Sequence, residues 1–172
     1  IALENGKLKR WYYEMQHLGY NYRITDIQCA LAISQMDKID LFLDRRRSMA
    51  KFYDQAFADV LNITPLQNHG RDNSSHHIYV VSVDFDKIGL TRNQFMTRLA
   101  EKGVGSQVHY IPVVSQPYYQ DMGYEIEQYP VICNYYQNTL TIPLYYGLSN
   151  TEQELIISSI KELLKNDEKT SI

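Results

Sequence analysis

The stretch HHIYVVSVDF, residues 76–85, is followed after a short turn by TRNQFMTRLAEKG, residues 91–103. The change of period between them constrains the fold more than any other feature of the chain. In the first, His77, Tyr79, Val81, Val83 and Phe85 alternate with their neighbours as a half-buried strand requires. In the second, Thr91 and Gln94 form a capping box and Gly103 stands where a helix ends. A strand that feeds a helix so quickly needs helix packed on sheet, so the expectation is neither a helical bundle nor a closed barrel.

The flanking sequence extends the pattern. Ile24, Ile27, Leu31 and Ser34 keep helical spacing, with Thr25 or Asp26 placed to cap. A second helix is expected from about Asp37 to Ala58, on a stripe of Ile39, Leu43, Ala50, Tyr53 and Phe57, long enough to bridge two domains. The segment QNHGRDNSS reads as turns. Downstream come a strand GSQVHYIP, a loop with Pro112 and Pro117, a short helix near 129–137 and a strand TLTIPL. Ser149 with Glu152 then opens a last helix whose apolar face is LIISSIKELL. From residue 77 this order predicts a small two-layer α/β unit, and the polar tail NDEKTSI is expected to fray. No internal repeat is present.

Composition closes off several functions. The chain has 172 residues, 44% of them hydrophobic, enough for one sizeable core or two small ones. A net charge of -3 and a pI near 5.9 give no electrostatic case for nucleic acid. KLKR at 7–10 is a local cluster, and RRR at 45–47 reads as the solvated face of a helix. Cys29 and Cys133 lie in apolar helical contexts without metal-type spacing, which suits a reducing compartment. With no run long enough to span a membrane and no signal-peptide core at IALENGKLKR, a cytoplasmic location is expected. The chain opens on Ile1 and on what looks like a mid-protein connection, so a fragment is expected.

The segments GYNYRITDIQCALAISQMDKIDLFLDRRR, HHIYVVSVDF, GVGSQVHYIPVVSQPYYQDMGY and YYQNTLTIPLYYGLS resemble, in that order, the C-terminal half of the DegT/DnrJ/EryC1/StrS sugar aminotransferases. The GSQVHYIP and QPYY segments look most like the UDP-sugar 4-aminotransferases of the pseudaminic acid route. The resemblance implies the C-terminal part of a fold type I pyridoxal-phosphate transferase, with a long connecting helix leading into a small two-layer α/β domain. It divides the chain into residues 1–36, a remnant of the large cofactor domain with a partner-reaching loop; 37–60, the connecting helix; 61–166, the small domain; and 167–172, a frayed tail. It also implies pyridoxal 5'-phosphate as cofactor, glutamate and a UDP-keto-sugar as substrates, and a homodimer with active sites at the subunit interface.

Site residues follow from the same resemblance. The position matching Asn21 reaches the cofactor phosphate of the other subunit; its amide offers two donors, and the start of a helix adds free backbone N–H groups. Arg23 adds a planar charged fork for phosphate or diphosphate. Read without the resemblance, Asn21 caps a turn and Arg23 pairs with Asp26. In QVHYIPVVSQPYY, residues on a strand alternate faces, so at most one of His109 and Tyr110 faces a given pocket. Tyr110, with a ring for sugar packing and a hydroxyl, is preferred, and His109 reads more simply as a structural histidine. Gln116 and Tyr118 are further substrate candidates, although a Pro-Tyr-Tyr run also packs well on a sheet. Relatives commonly carry His two residues after the proline matching Pro112; here Val114 stands there.

The lysine that bonds the cofactor covalently in this family matches no position in this chain. It lies farther upstream of the Asn motif than twenty residues, so Lys7 and Lys9 do not correspond to it. The aspartate for the pyridine nitrogen and the Ser/Thr phosphate ligands match nothing here either. KLKR lies in the loop that approaches the neighbouring site in relatives, or is a solvated basic loop. Three readings stay open: part of an aminotransferase inactive alone, part of a family sugar dehydratase whose lysine is replaced, or a non-catalytic dimerisation or regulatory module.

Overall fold

Asn5 and Gly6 both have positive φ, 51° and 76°, the requirement of a two-residue type I′ hairpin turn. They join β1 (Leu3–Glu4) to β2 (Lys7–Leu8), antiparallel with Leu3 opposite Leu8. The segment expected as a plain connection therefore starts as a hairpin, signalled by its Asn-Gly pair. The computed structural model describes residues 3–8, 11–66 and 73–165, and it divides into two compact units, 1–37 and 38–172.

In the first unit, residues 12–24 form no helix or strand, and helix α1 spans Asp26–Met36. Thr25, rather than Asp26, is its cap. The Thr25 hydroxyl accepts from the Gln28 N–H, and the Gln28 side chain accepts the Thr25 N–H at 2.9 Å. No residue of α1 is buried.

The second unit begins with α2 (Ile39–Phe57), whose buried residues are Met49, Ala50, Tyr53 and Phe57. The expected stripe turns inward only over its C-terminal half, since Ile39 is exposed and Leu43 half-buried. Strands β3 (Ile63–Pro65), β4 (Tyr79–Val83) and β5 (Thr139–Ile142) form an antiparallel sheet in the order β3-β4-β5. Its register sets Ile63 opposite Val83 and Tyr79 opposite Ile142. Between β4 and β5 lie α3 (Arg92–Glu101), α4 (Pro117–Gln120) and α5 (Pro130–Asn138), and α6 (Asn150–Lys165) follows β5.

The alternation in β4 is as expected: Tyr79, Val81 and Val83 are buried while Val80 and Ser82 are half-buried. With Phe57, Phe95, Leu99, Leu140 and Ile160 they form one core. Its polar tips are satisfied, as buried groups must be. Tyr53 Oη donates to the Pro143 carbonyl at 2.8 Å, Tyr79 Oη to Asp54 Oδ1 at 2.6 Å and Gln153 Nε2 to the Met49 carbonyl at 2.8 Å. Burial, with a smaller effect from Tyr145, pushes the Tyr53 phenol well above its ordinary range. Both downstream capping boxes form, Thr91 with Gln94 and Ser149 with Glu152, and Gly103 takes φ 77° after α3.

Two expectations need correction, and one strand is added. GSQVHYIP is not a strand; its backbone pairs with β5 only at Gln107 and Thr141. Residues 105–110 include no buried side chain, so no apolar face holds a longer register. The RRR run is more than a solvated face: Arg45 and Arg46 are half-buried and Arg47 exposed, and all three guanidiniums find backbone carbonyls in two loops. Arg45 donates to the Leu148 carbonyl at 2.5 Å, Arg46 to those of His76 and His77 at 3.1 Å, and Arg47 to that of Ser74 at 3.3 Å. Strand β3 was not anticipated at all. Most of the turn-rich QNHGRDNSS segment, Lys9 and the 167–172 tail lie outside the described residues.

Candidate functional site

Two sets of residues carry the candidate chemistry, one in each unit. In the first, the rings of Tyr20 and Tyr22 stack with centroids 5.2 Å apart and planes 12° from parallel. The stack sets two residues of alternate position side by side and flanks Asn21 in the chain. Asn21 and Arg23 are both exposed. Thr25 does the capping, and neither Asn21 nor Arg23 has a hydrogen bond or ion pair among the described residues. The turn-capping role and the Arg23–Asp26 pair are thus not formed. An uncommitted amide and guanidinium fit a phosphate, which takes several N–H donors in charge-assisted bonds.

In the second unit, His109 leaves the sheet edge but is held to it by its side chain. Its Nδ1 lies 2.9 Å from Thr141 Oγ1, and the Tyr135 hydroxyl reaches its carbonyl at 3.4 Å. The His109–Tyr110 peptide is cis, and the two rings meet edge to face at 4.6 Å. They are therefore neighbours, not residues on opposite faces of a strand. Tyr110 is 73% exposed. A 3-10 turn at Val113–Ser115, which contains Val114, leads to Gln116 at the start of α4. Gln116 is exposed, and Tyr118 is exposed within α4, its ring edge to face with Tyr119 at 5.3 Å.

Of these four, His109 lines a cavity of about 310 Å³ together with His77, Ser106, Gln107 and Thr141. Those four partners were not singled out from the sequence. Thr141 is buried with the rest of β5, and a buried hydroxyl needs a partner, but that burial is visible only in the fold. Because Nδ1 is engaged, Nε2 is the ring nitrogen of His109 left for a ligand. Among the described residues no group of three or more His, Cys, Asp or Glu side chains could hold a metal ion, and no helix is long and apolar enough to cross a membrane. Cys29 and Cys133 are free thiols.

A mixed α/β portion with these elements defines part of a fold type I transferase. It superposes on Spr1654 of Streptococcus pneumoniae, named as a sugar aminotransferase and solved in its PLP form. The TM-score is 0.78 with 31% identity, over 90% of this chain and 39% of that one. The chain belongs to the DegT/DnrJ/EryC1/StrS aminotransferase family, whose model matches residues 2–161. Among its relatives, the spore coat polysaccharide biosynthesis protein SpsC of Bacillus subtilis is 34% identical over 157 residues, covering 90% of this chain and 40% of SpsC. The UDP-4-amino-4,6-dideoxy-N-acetyl-beta-L-altrosamine transaminase of Campylobacter jejuni is 29% identical over 163 residues, 95% of this chain and 43% of the relative. The chain thus spans about 40% of the length of the relatives it matches.

Proposed function

We propose that this chain is the C-terminal portion of a pyridoxal-phosphate-dependent aminotransferase that moves an amino group from glutamate to a UDP-keto-sugar. The observation that carries the reading is the uncommitted pair Asn21 and Arg23 directly before a helix that Thr25 has already capped. Their N–H groups bind and orient a phosphate, and the free backbone N–H groups of the first turn of α1 strengthen that field. When bound, pyridoxal phosphate supplies the electron sink for amino transfer. In the second unit, Tyr110 and Tyr118 offer exposed rings for a sugar face and hydroxyls for its substituents. Gln116 offers an amide, and His109, oriented by Thr141, presents Nε2.

A homodimer follows from the same reading. Ile27, Leu31 and Ile33 of α1 are 76%, 63% and 64% exposed, and apolar surface on this scale marks an interface. Asn21 then serves the cofactor of the other subunit.

The deciding experiment reads the frame upstream of Ile1 and assays the complete product. The expected outcome is a continuous frame with the family lysine and glutamate-dependent amination of a UDP-keto-sugar. The 172-residue chain alone, titrated with pyridoxal phosphate, is expected to develop no imine absorption band. A start codon with no related sequence before Ile1 would overturn the proposal in favour of a non-catalytic module.

A further inference from the structure

A second cleft, of about 610 Å³, lies where the end of α2, the turn after β4 and the last turns of α6 meet. Val60, Ile88 and Leu164 give it an apolar floor, and Lys87, Lys161 and Lys165 stand around it, with Asp59 as the one carboxylate among the described residues. The local excess of positive charge rests on Lys161 and Lys165, in a chain with 17 Lys and Arg against 20 Asp and Glu. Lys87 is tied to Asp84 at 2.8 Å. Lys161 and Lys165 have no ion pair among the described residues, and at i, i+4 they share one face of α6.

The walls are fixed before any ligand arrives. The Asp84 N–H donates to the Asn62 carbonyl at 2.9 Å, which pins the turn after α2 to the end of β4. The neighbouring turn is closed by Ile88 N–H to the Asp84 carbonyl and Leu90 N–H to that of Phe85, both 3.2 Å. Ile88 is 1% exposed, whereas Leu61 at the mouth is 82% exposed. Lysines at the end of a helix complement its dipole, which accounts for Lys161 and Lys165 by themselves. It does not account for an apolar floor beneath them or for a leucine held out in water beside them.

We propose that this cleft binds a small organic monoanion with an apolar body, of the aliphatic carboxylate class. The head group pairs with the Lys161 and Lys165 ammoniums, and the body covers Val60, Leu61 and Leu164. A multiply charged phosphate ester fits less well, because among the described residues no arginine lines the cleft to make a bidentate contact. The inference is independent of the aminotransferase reading.

The test is a titration of the 172-residue chain with hexanoate, followed by two-dimensional amide NMR, with acetate and hexan-1-ol as controls for charge alone and body alone. Hexanoate is expected to shift amides at 59–62, 87–89 and 161–165, each control at least several-fold less at equal concentration. Lys161→Glu with Lys165→Glu is expected to weaken hexanoate about tenfold, while unchanged dispersion of the other amides shows that the fold is intact. Equal shifts from hexanol, shifts concentrated on the exposed apolar residues of α1, or an affinity unmoved by the charge reversals would each overturn the proposal.

Discussion

Helices α1 and α6 start in the same way and end up in opposite environments. Thr25 with Gln28 opens the first and Ser149 with Glu152 the second, each a reciprocal pair three residues apart. Both sequences are rich in Ile and Leu. Yet in α6 Ile156, Ile160 and Leu163 are 4%, 0% and 3% exposed, while in α1 Ile27 and Leu31 are mostly exposed. The difference teaches that the signals which start a helix carry no information about what its apolar face meets. That face is buried in unit 2 by β4, β5, α2 and α3, and in unit 1 it stays exposed.

The sharpest way to break this comparison is to remove a large side chain from each region. Phe95→Ala opens a cavity in the core of the second unit and is expected to cost about 3–5 kcal/mol. With the chain diluted until it is monomeric, so that no partner surface covers α1, Ile27→Ala should stay within about 0.5 kcal/mol, as exposed substitutions do. Urea unfolding of the 172-residue chain measures both. A comparable loss from Ile27→Ala would mean that α1 is covered in solution, and the contrast between the units would fail.

Asn21 sharpens the functional side of the comparison, since an exposed residue of unit 1 should matter for cofactor and not for folding. If the proposed function holds, Asn21→Ala in the full-length protein is expected to remove a charge-assisted hydrogen bond of roughly 1.5–3 kcal/mol, or about one to two decades in pyridoxal-phosphate affinity. To show that it acts on the other subunit, Asn21→Ala and a substitution of the family lysine are placed in one chain, which is paired with wild type. The surviving lysine then meets the defective loop, so binding stays weak at every site. Normal affinity at half the sites would place Asn21 in its own subunit's site instead.

A smaller effect compares the caps. Thr91→Ala is expected to cost about 1 kcal/mol of global stability, because α3 carries Phe95 and Leu99 of the core. Thr25→Ala, breaking an equivalent box, should lower helical circular dichroism and leave the main unfolding transition in place. Equal shifts of that transition would show that α1 unfolds together with the core.

The smallest effect is a pH dependence peculiar to α6. Hydrogen bonds from Ser149, the side chain first and the backbone second, hold the Glu152 carboxyl below its ordinary 4.5. A carboxylate depressed in the folded state stabilises it above the unfolded pKa and loses that contribution as pH falls through the folded value. The stability gap between wild type and Glu152→Gln should therefore narrow as pH drops below about 4.5. The caps of α1 and α3 use Gln28 and Gln94, which do not titrate, so Gln28→Glu or Gln94→Glu should introduce the same dependence. Parallel curves for wild type and Glu152→Gln would refute the assignment.

What the sequence determined by itself was whatever is decided within a few residues. The capping boxes at Thr91 and Ser149, the alternation of β4 and the stop at Gly103 are of this kind, because the donor and acceptor of a cap lie three positions apart; the Thr25–Gln28 box and the Asn-Gly turn are equally local but were not anticipated. Tertiary structure decided the rest. RRR became a set of tethers because the carbonyls that Arg45 and Arg46 reach lie 103 and 30 positions away. The histidine at 109 acquired an orientation because Thr141 lies 32 positions on. QVHYIP failed to become a strand because no apolar face was there to hold its register. Side-chain chemistry says which partners a residue can take, and only the folded path of the backbone says which of them come within hydrogen-bonding distance.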